Sequence, residues 1–122
     1  MTDWQNQYAT GQTPWDRGAP APALVDYLAT HPVTGRVLVP GCGTGQDVKA
    51  LAQAGATEVT GLDLAPLAVE RAQQFLADTP HTQVLLGDSM GEMFAYYAAC
   101  DCAFVGGSLL PLGGQNLIEA CA

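Results

Sequence analysis

Short apolar runs alternate with amphipathic stretches along most of this 122-residue chain. Arg36-Val37-Leu38-Val39-Pro40, bounded by Gly35 and Gly41, has the near-continuous apolar character of a strand covered on both faces. Gln46 to Ala54 follows with helical spacing, Val48, Leu51 and Ala52 sharing one face and Gly55 supplying the stop. Glu58-Val59-Thr60-Gly61-Leu62 is a second strand ending at Asp63. Pro66 opens a helix to about Ala77, with Leu67, Ala68, Ala72, Phe75 and Leu76 as its apolar face. Gln83 to Leu86 is a third strand ending at Gly87-Asp88, Met90 to Ala99 a helix, and Cys102 to Val105 a fourth strand. A Gly/Pro-rich loop then leads into a helix starting near Gln115. Ahead of all this, residues 1–22 combine aromatics with turn formers, and a helix runs from about 22 to 30, ended by His31-Pro32.

Strand–helix alternation predicts parallel strands joined by right-handed crossovers. The expected fold class is α/β, a truncated Rossmann-like three-layer sandwich with a parallel four-stranded sheet of order 3-2-1-4 and flanking helices. The whole of 1–122 is expected to form a single domain. The order reverses between strands 1 and 4, and ligands of open α/β sheets bind outside the strand C-termini at such a reversal. Gly41–Gly45, Asp63, Asp88 and Gly106-Gly107 all fall along that edge.

Composition narrows the partners. Twelve acids against four bases leave a net charge of −8, which argues against nucleic acid and anionic membrane surfaces. No apolar run has membrane-spanning length. The N-terminus Met1–Gln5 is acidic and polar rather than a signal peptide, so the expected location is cytoplasmic. Cys42, Cys100, Cys102 and Cys121 form no paired C-x-x-C units, so no metal site is expected. Reduced thiols are the simplest reading, although Cys100, Cys102 and Cys121 lie near one another and could cross-link under oxidation.

The main chemical signal is Pro40-Gly41-Cys42-Gly43-Thr44-Gly45. Glycines let the backbone take positive φ and let a ligand approach closely, and the next helix offers free N–H groups at its start. Asp63, 18 residues past Gly45, can accept both ribose hydroxyls of an adenosine group. The dinucleotide fingerprint G-x-G-x-x-G/A places its third glycine one residue later than here. G-x-G-x-G is the methyltransferase spacing, which points to S-adenosylmethionine (SAM). Cys42 reads as a small filler within the turn rather than a nucleophile. His31 and His81 sit beside prolines in turns, so neither is assigned as a base, and the catalytic residue is unknown.

On these residues the chain resembles the class I SAM-dependent methyltransferases, and among them the thiopurine and thiol (halide) methyltransferase family. The segments that carry the likeness are Trp4-x-x-x-Tyr8, Gly11–Gly18, Pro20–Leu24, the glycine turn and Thr60-Gly61-Leu62-Asp63-Leu64, covering roughly 1–88. The resemblance implies N-terminal aromatics closing over SAM, matched by Trp4, Tyr8 and Trp15. It implies adenine contacts from the end of strand 3, matched by Asp88 and Ser89. The full set of SAM-binding residues it implies is Trp4, Tyr8, Trp15, Gly41, Cys42, Gly43, Gly45, Asp63, Leu64, Asp88 and Ser89. A small-molecule acceptor, a thiol or thiopurine, is implied on the same basis. Methyl transfer would be an in-line displacement in which the protein holds nucleophile and methyl at near-attack distance.

From about Gly87 another likeness begins. Gly87–Met93, Ala103–Leu109 and Gly113–Glu119 resemble the C-terminal, nucleotide-sugar-binding domain of the Kdo (3-deoxy-manno-octulosonate) transferases. In that family the Gly-Gly segments approach the donor phosphate and the glutamate matching Glu119 contacts the donor ribose; Gln115 replaces the usual histidine of Gly-Gly-His-Asn. The sequence therefore looks chimeric, a methyltransferase-like half at 1–88 and a Kdo-transferase-like half at 89–122, with a junction near 82–88. The methyltransferase family would continue through strands 5–7 and an acceptor region. Two alternatives to a working methyltransferase follow: a non-catalytic SAM- or nucleotide-binding chimera, and a Kdo glycosyltransferase remnant. With nothing expected beyond strand 4, its outer edge is predicted to pair with a second copy as a homodimer.

Overall fold

The computed structural model describes residues 4–11, 18–87, 100–105 and 117–120. In chain order these form α1 (Trp4–Thr10), α2 (Pro22–Thr30), β1 (Arg36–Pro40), α3 (Gln46–Gln53), β2 (Glu58–Asp63), α4 (Pro66–Phe75), β3 (Thr82–Leu86), β4 (Cys102–Val105) and β5 (Leu117–Ala120). The helices begin and end for local reasons. Pro22 and Pro66 open α2 and α4, where a missing N–H costs nothing. Gly55, at φ +114°, closes the C-terminus of α3, and the Ala56 N–H returns to the Leu51 carbonyl at 3.3 Å. At the end of α2, His31 is extended, as a residue before proline prefers.

One sheet of order β3-β2-β1-β4-β5 organises the chain. Its first four strands are parallel in the expected 3-2-1-4 order, with Pro40 opposite Leu62 and Asp63 opposite Leu86. Alternate residues of β1 feed two cores. Val37 and Val39 join Val59, Val84, Val48, Leu51, Val69 and Ala72 on the face covered by α3 and α4. Leu38 points the other way, into a cluster with Leu62 and Ala103. This burial of both faces explains why β1 reads as an unbroken apolar run.

Two expectations are corrected at the C-terminal end. The helix expected from near Gln115 is replaced, over Leu117–Ala120, by β5, antiparallel to β4 with Cys102 opposite Ala120 and Val105 opposite Leu117. A four-residue segment, Leu-Ile-Glu-Ala, is too short for periodicity to separate strand from helix, and the open backbone groups along β4 favour strand pairing. The outer edge of β4 is therefore occupied within the chain, which removes the basis for a homodimer through that edge. The helix expected at Met90–Ala99 lies outside the described residues.

Cys42 and Cys102 are free thiols, whereas Cys100 is disulfide-bonded, so the expectation of reduced thiols throughout does not hold. Among the described residues no helix is long and apolar enough to cross a membrane, and no group of three metal-ligating side chains comes together.

Candidate functional site at the glycine turn

The C-terminal ends of β1 and β2 lie side by side. The turn leaving β1 has Gly41, Gly43 and Gly45 at φ of +64°, +57° and +93°, a left-handed series that L side chains rarely adopt. The turn is stitched to β2 twice. The Cys42 N–H donates to the Leu62 carbonyl at 2.9 Å, and the Gly43 N–H donates to Asp63 Oδ2 at 2.9 Å. Asp63 Oδ1 in turn accepts the Ala65 N–H at 2.9 Å. Burial pushes the Asp63 carboxyl up from its ordinary range, while the N–H groups of Ala65, Gly43 and Leu64 draw it back.

Cys42 is buried beneath the turn. Burial raises its thiol far above the usual range, and the nearby Asp63 charge adds to the effect. A thiol in that position is a packing atom, not a nucleophile. Leu64, the next residue after Asp63 and just past the end of β2, is 58% exposed.

The N-terminal helix covers the turn from above. Tyr8 is buried against Ala65 and Ala68, and a Cβ added to Gly43 would stand 3.1 Å from the Tyr8 hydroxyl. Gln5 Oε1 accepts the Leu67 N–H at 2.9 Å, serving as the N-terminal cap that α4 lacks from its own residues. Arg71 lies over the Tyr8 ring at 5.9 Å and donates to the Tyr8 carbonyl at 3.3 Å. Trp4 is the first residue of α1. Trp15, Asp88 and Ser89 lie outside the described residues.

The described residues around Asp63 fit the adenosine portion of SAM. Asp63 Oδ2 accepts the Gly43 N–H and Oδ1 the Ala65 N–H, and a carboxylate with about four lone-pair sites has capacity for further donors, as vicinal ribose hydroxyls would supply. No lysine or arginine occurs in 41–47 or 61–65, so these segments offer a pyrophosphate no cation. Reasoning from sequence alone missed three features: the Gln5 cap, the Ala65 N–H on Asp63, and a bond from the Ala21 N–H to Asp47 Oδ1. Only the last had a signal, an acid in the first turn of a helix just past the glycines.

Sheet order, glycine turn and acid-terminated β2 together define a Rossmann-like protein. The family model for thiopurine S-methyltransferase matches residues 1–102, and the chain belongs to that family. A thiopurine S-methyltransferase of Bordetella petrii is 34% identical over 116 residues, 93% of this chain and 50% of its relative. A probable thiol methyltransferase 2 of Arabidopsis thaliana is 41% identical over 81 residues, 66% of this chain and 35% of the relative. A solved structure on conversion of a disulfide bond into a thioacetal group during echinomycin biosynthesis superposes with a TM-score of 0.60 at 30% identity, over 77% of this chain and 52% of the other. The second likeness is also present. A 3-deoxy-D-manno-octulosonic acid transferase of Bordetella pertussis is 72% identical over 43 residues, 35% of this chain and 10% of the relative. The chain thus spans half or less of the length of these curated relatives.

Proposed function

We propose that the chain binds SAM in the crevice between Gly41–Gly45 and Asp63 and serves methyl transfer to a small thiol or thiopurine-type acceptor. The observation that supports this reading is the 2.9 Å bond from the Gly43 N–H to Asp63, a direct contact between the glycine turn and the carboxylate that ends β2. When bound, SAM supplies an electrophilic methyl group on a sulfonium. The protein's part is to hold and shield it. Asp63 accepts the ribose hydroxyls, and the backbone of Gly41, Cys42, Gly43 and Gly45 passes close to the donor. Leu64 supplies an apolar wall, Trp4, Tyr8 and Trp15 cover the site, and Asp88 and Ser89 face the base. No residue is assigned as a general base. We read 1–122 as one Rossmann-like domain joined near 82–88 and place it in the cytoplasm.

The test is isothermal titration with S-adenosylhomocysteine, the demethylated product. Binding should be present in the wild type and weakened more than about tenfold in Asp63→Ala, the scale of a lost hydrogen bond to a charged group. Absence of binding in the wild type would remove the SAM reading. The chain spans 35–50% of these methyltransferase relatives, and a second reading is a binding module without turnover. Release of demethylated product on adding a thiol acceptor selects the enzyme; tight binding without release selects the module. Binding of CMP alone would favour the glycosyltransferase likeness.

A further inference from the structure

Asp47 stands in the first turn of α3, two residues beyond Gly45, and the proposed chemistry leaves it without a role. Its Oδ1 accepts the N–H of Ala21 at 2.8 Å, across 26 residues of chain. Ala21 is the residue before α2, with φ −57° and ψ 133°, and its side chain packs on the main core. The start of α3 favours a carboxylate through the helix dipole. Burial nevertheless pushes the Asp47 carboxyl up, and the Ala21 N–H is what draws it back. A part-buried carboxylate gives up solvent to satisfy one N–H, a cost that the contact must offset.

The role of the contact lies in the turn. Three left-handed glycines make 41–45 intrinsically free to change shape, so its geometry must be imposed from outside. Asp63 and Leu62 restrain its middle through Gly43 and Cys42. Its far end runs straight into α3, where the Asp47–Ala21 bond ties the first helical turn to the segment before α2. We infer that Asp47 is a positioning residue for the candidate donor site: its bond to Ala21 anchors the α3 end of the glycine turn and sets the shape that a nucleoside ligand meets. This rests on the turn being the SAM site.

The experiment uses the full chain and two measurements. One is the Kd for S-adenosylhomocysteine by titration below each variant's Tm; the other is amide exchange at Gly43 and Gly45 without ligand. Asp47→Ala should weaken binding about tenfold, as misplacement of a binding segment does, and speed turn exchange by a similar factor while β1 and β2 amides hold. Ala21→Pro removes the donor instead; proline suits φ −57° and has no N–H, and it should reproduce both effects. Asp47→Asn keeps an acceptor oxygen and should bind within about twofold of wild type. The double variant Ala21→Pro/Asp47→Ala should be no weaker than the weaker single variant, because both remove one bond.

A lower Tm with unchanged Kd and unchanged turn exchange in Asp47→Ala and Ala21→Pro would overturn the inference, leaving the bond a fold-stabilising one only. So would Asp47→Asn failing as badly as Asp47→Ala. If the wild type does not bind S-adenosylhomocysteine but turn exchange still rises in both variants, the anchor stands and the SAM reading falls.

Discussion

Gly61 shows how much of this site hangs on single residues. It lies in β2 opposite Val39 of β1 and Val84 of β3. The space where its side chain would go is already filled: a Cβ on Gly61 would stand 2.8 Å from Cys42 Sγ and 3.0 Å from Val48 Cγ2. Neither neighbour can yield easily, since Cys42 is held by the turn and Val48 is fully buried in the core. Gly61→Ala should therefore cost about 1–3 kcal/mol, the usual penalty for overpacking, read as a lower urea midpoint at unchanged slope. Since the thiol that must move belongs to the glycine turn, the same variant should bind S-adenosylhomocysteine more weakly. A wild-type midpoint would show that the turn gives way without strain. Nothing in the one-dimensional pattern marks Gly61 as different from any other strand glycine; the pressure on it comes from Cys42 and Val48, 19 and 13 residues away.

Between elements, the seam of β1 with β4 matters most, because it joins β3-β2-β1 to the β4-β5 pair. Asp101, just ahead of β4, closes it at the pole opposite the site. Its Oδ2 accepts the Arg36 N–H at 2.7 Å, the Arg36 guanidinium reaches both oxygens at 3.4 Å, and the Asp101 N–H returns to the Arg36 carbonyl at 2.8 Å. Gly35 leaves room for this, since a Cβ there would meet Asp101 Oδ2 at 2.7 Å. The Arg36 N–H, followed by its side chain, holds the Asp101 carboxyl below the ordinary range. A carboxyl lowered on folding stabilises the fold above its unfolded pKa, and that contribution fades as pH falls through the lower folded value. Asp101→Asn should then melt at a lower temperature than wild type near neutral pH, with the gap narrowing on acidification. Asp47 and Asp63 are displaced the opposite way, so the difference between the two proteins, not either curve alone, reports on Asp101. The pair is half-exposed, so the gap should also shrink with added salt.

At the scale of the molecule, β5 determines how the sheet ends. It covers β4 in antiparallel register from Cys102↔Ala120 to Val105↔Leu117, leaving β3 and β5 as the outer strands among the described residues. Deleting residues 117–122 would uncover the backbone groups of β4. An uncovered strand edge recruits other chains. The truncated chain should therefore show a weight-average mass that climbs with concentration in light scattering, relative to the full chain at the same concentrations. Equal masses for the two would mean that β5 is not what protects the edge.

The amino-acid sequence alone was enough to place β1 to β4, the helices between Pro22 and Phe75, the 3-2-1-4 order and the glycine turn beside Asp63. Those features follow from local periodicity, from proline and glycine at helix ends, and from the handedness of parallel crossovers, all of which act over short stretches of chain. Only the folded chain decided the rest. Leu117–Ala120 became a strand because β4 had an edge to pair. Gln5 became the cap of α4, Asp47 the anchor of Ala21, and Gly61 a position without room, because each depends on a partner far away in sequence. Such contacts exist only once packing has brought the partners together; of the three, Asp47 alone left a mark in the sequence, as an acid in the first turn of α3.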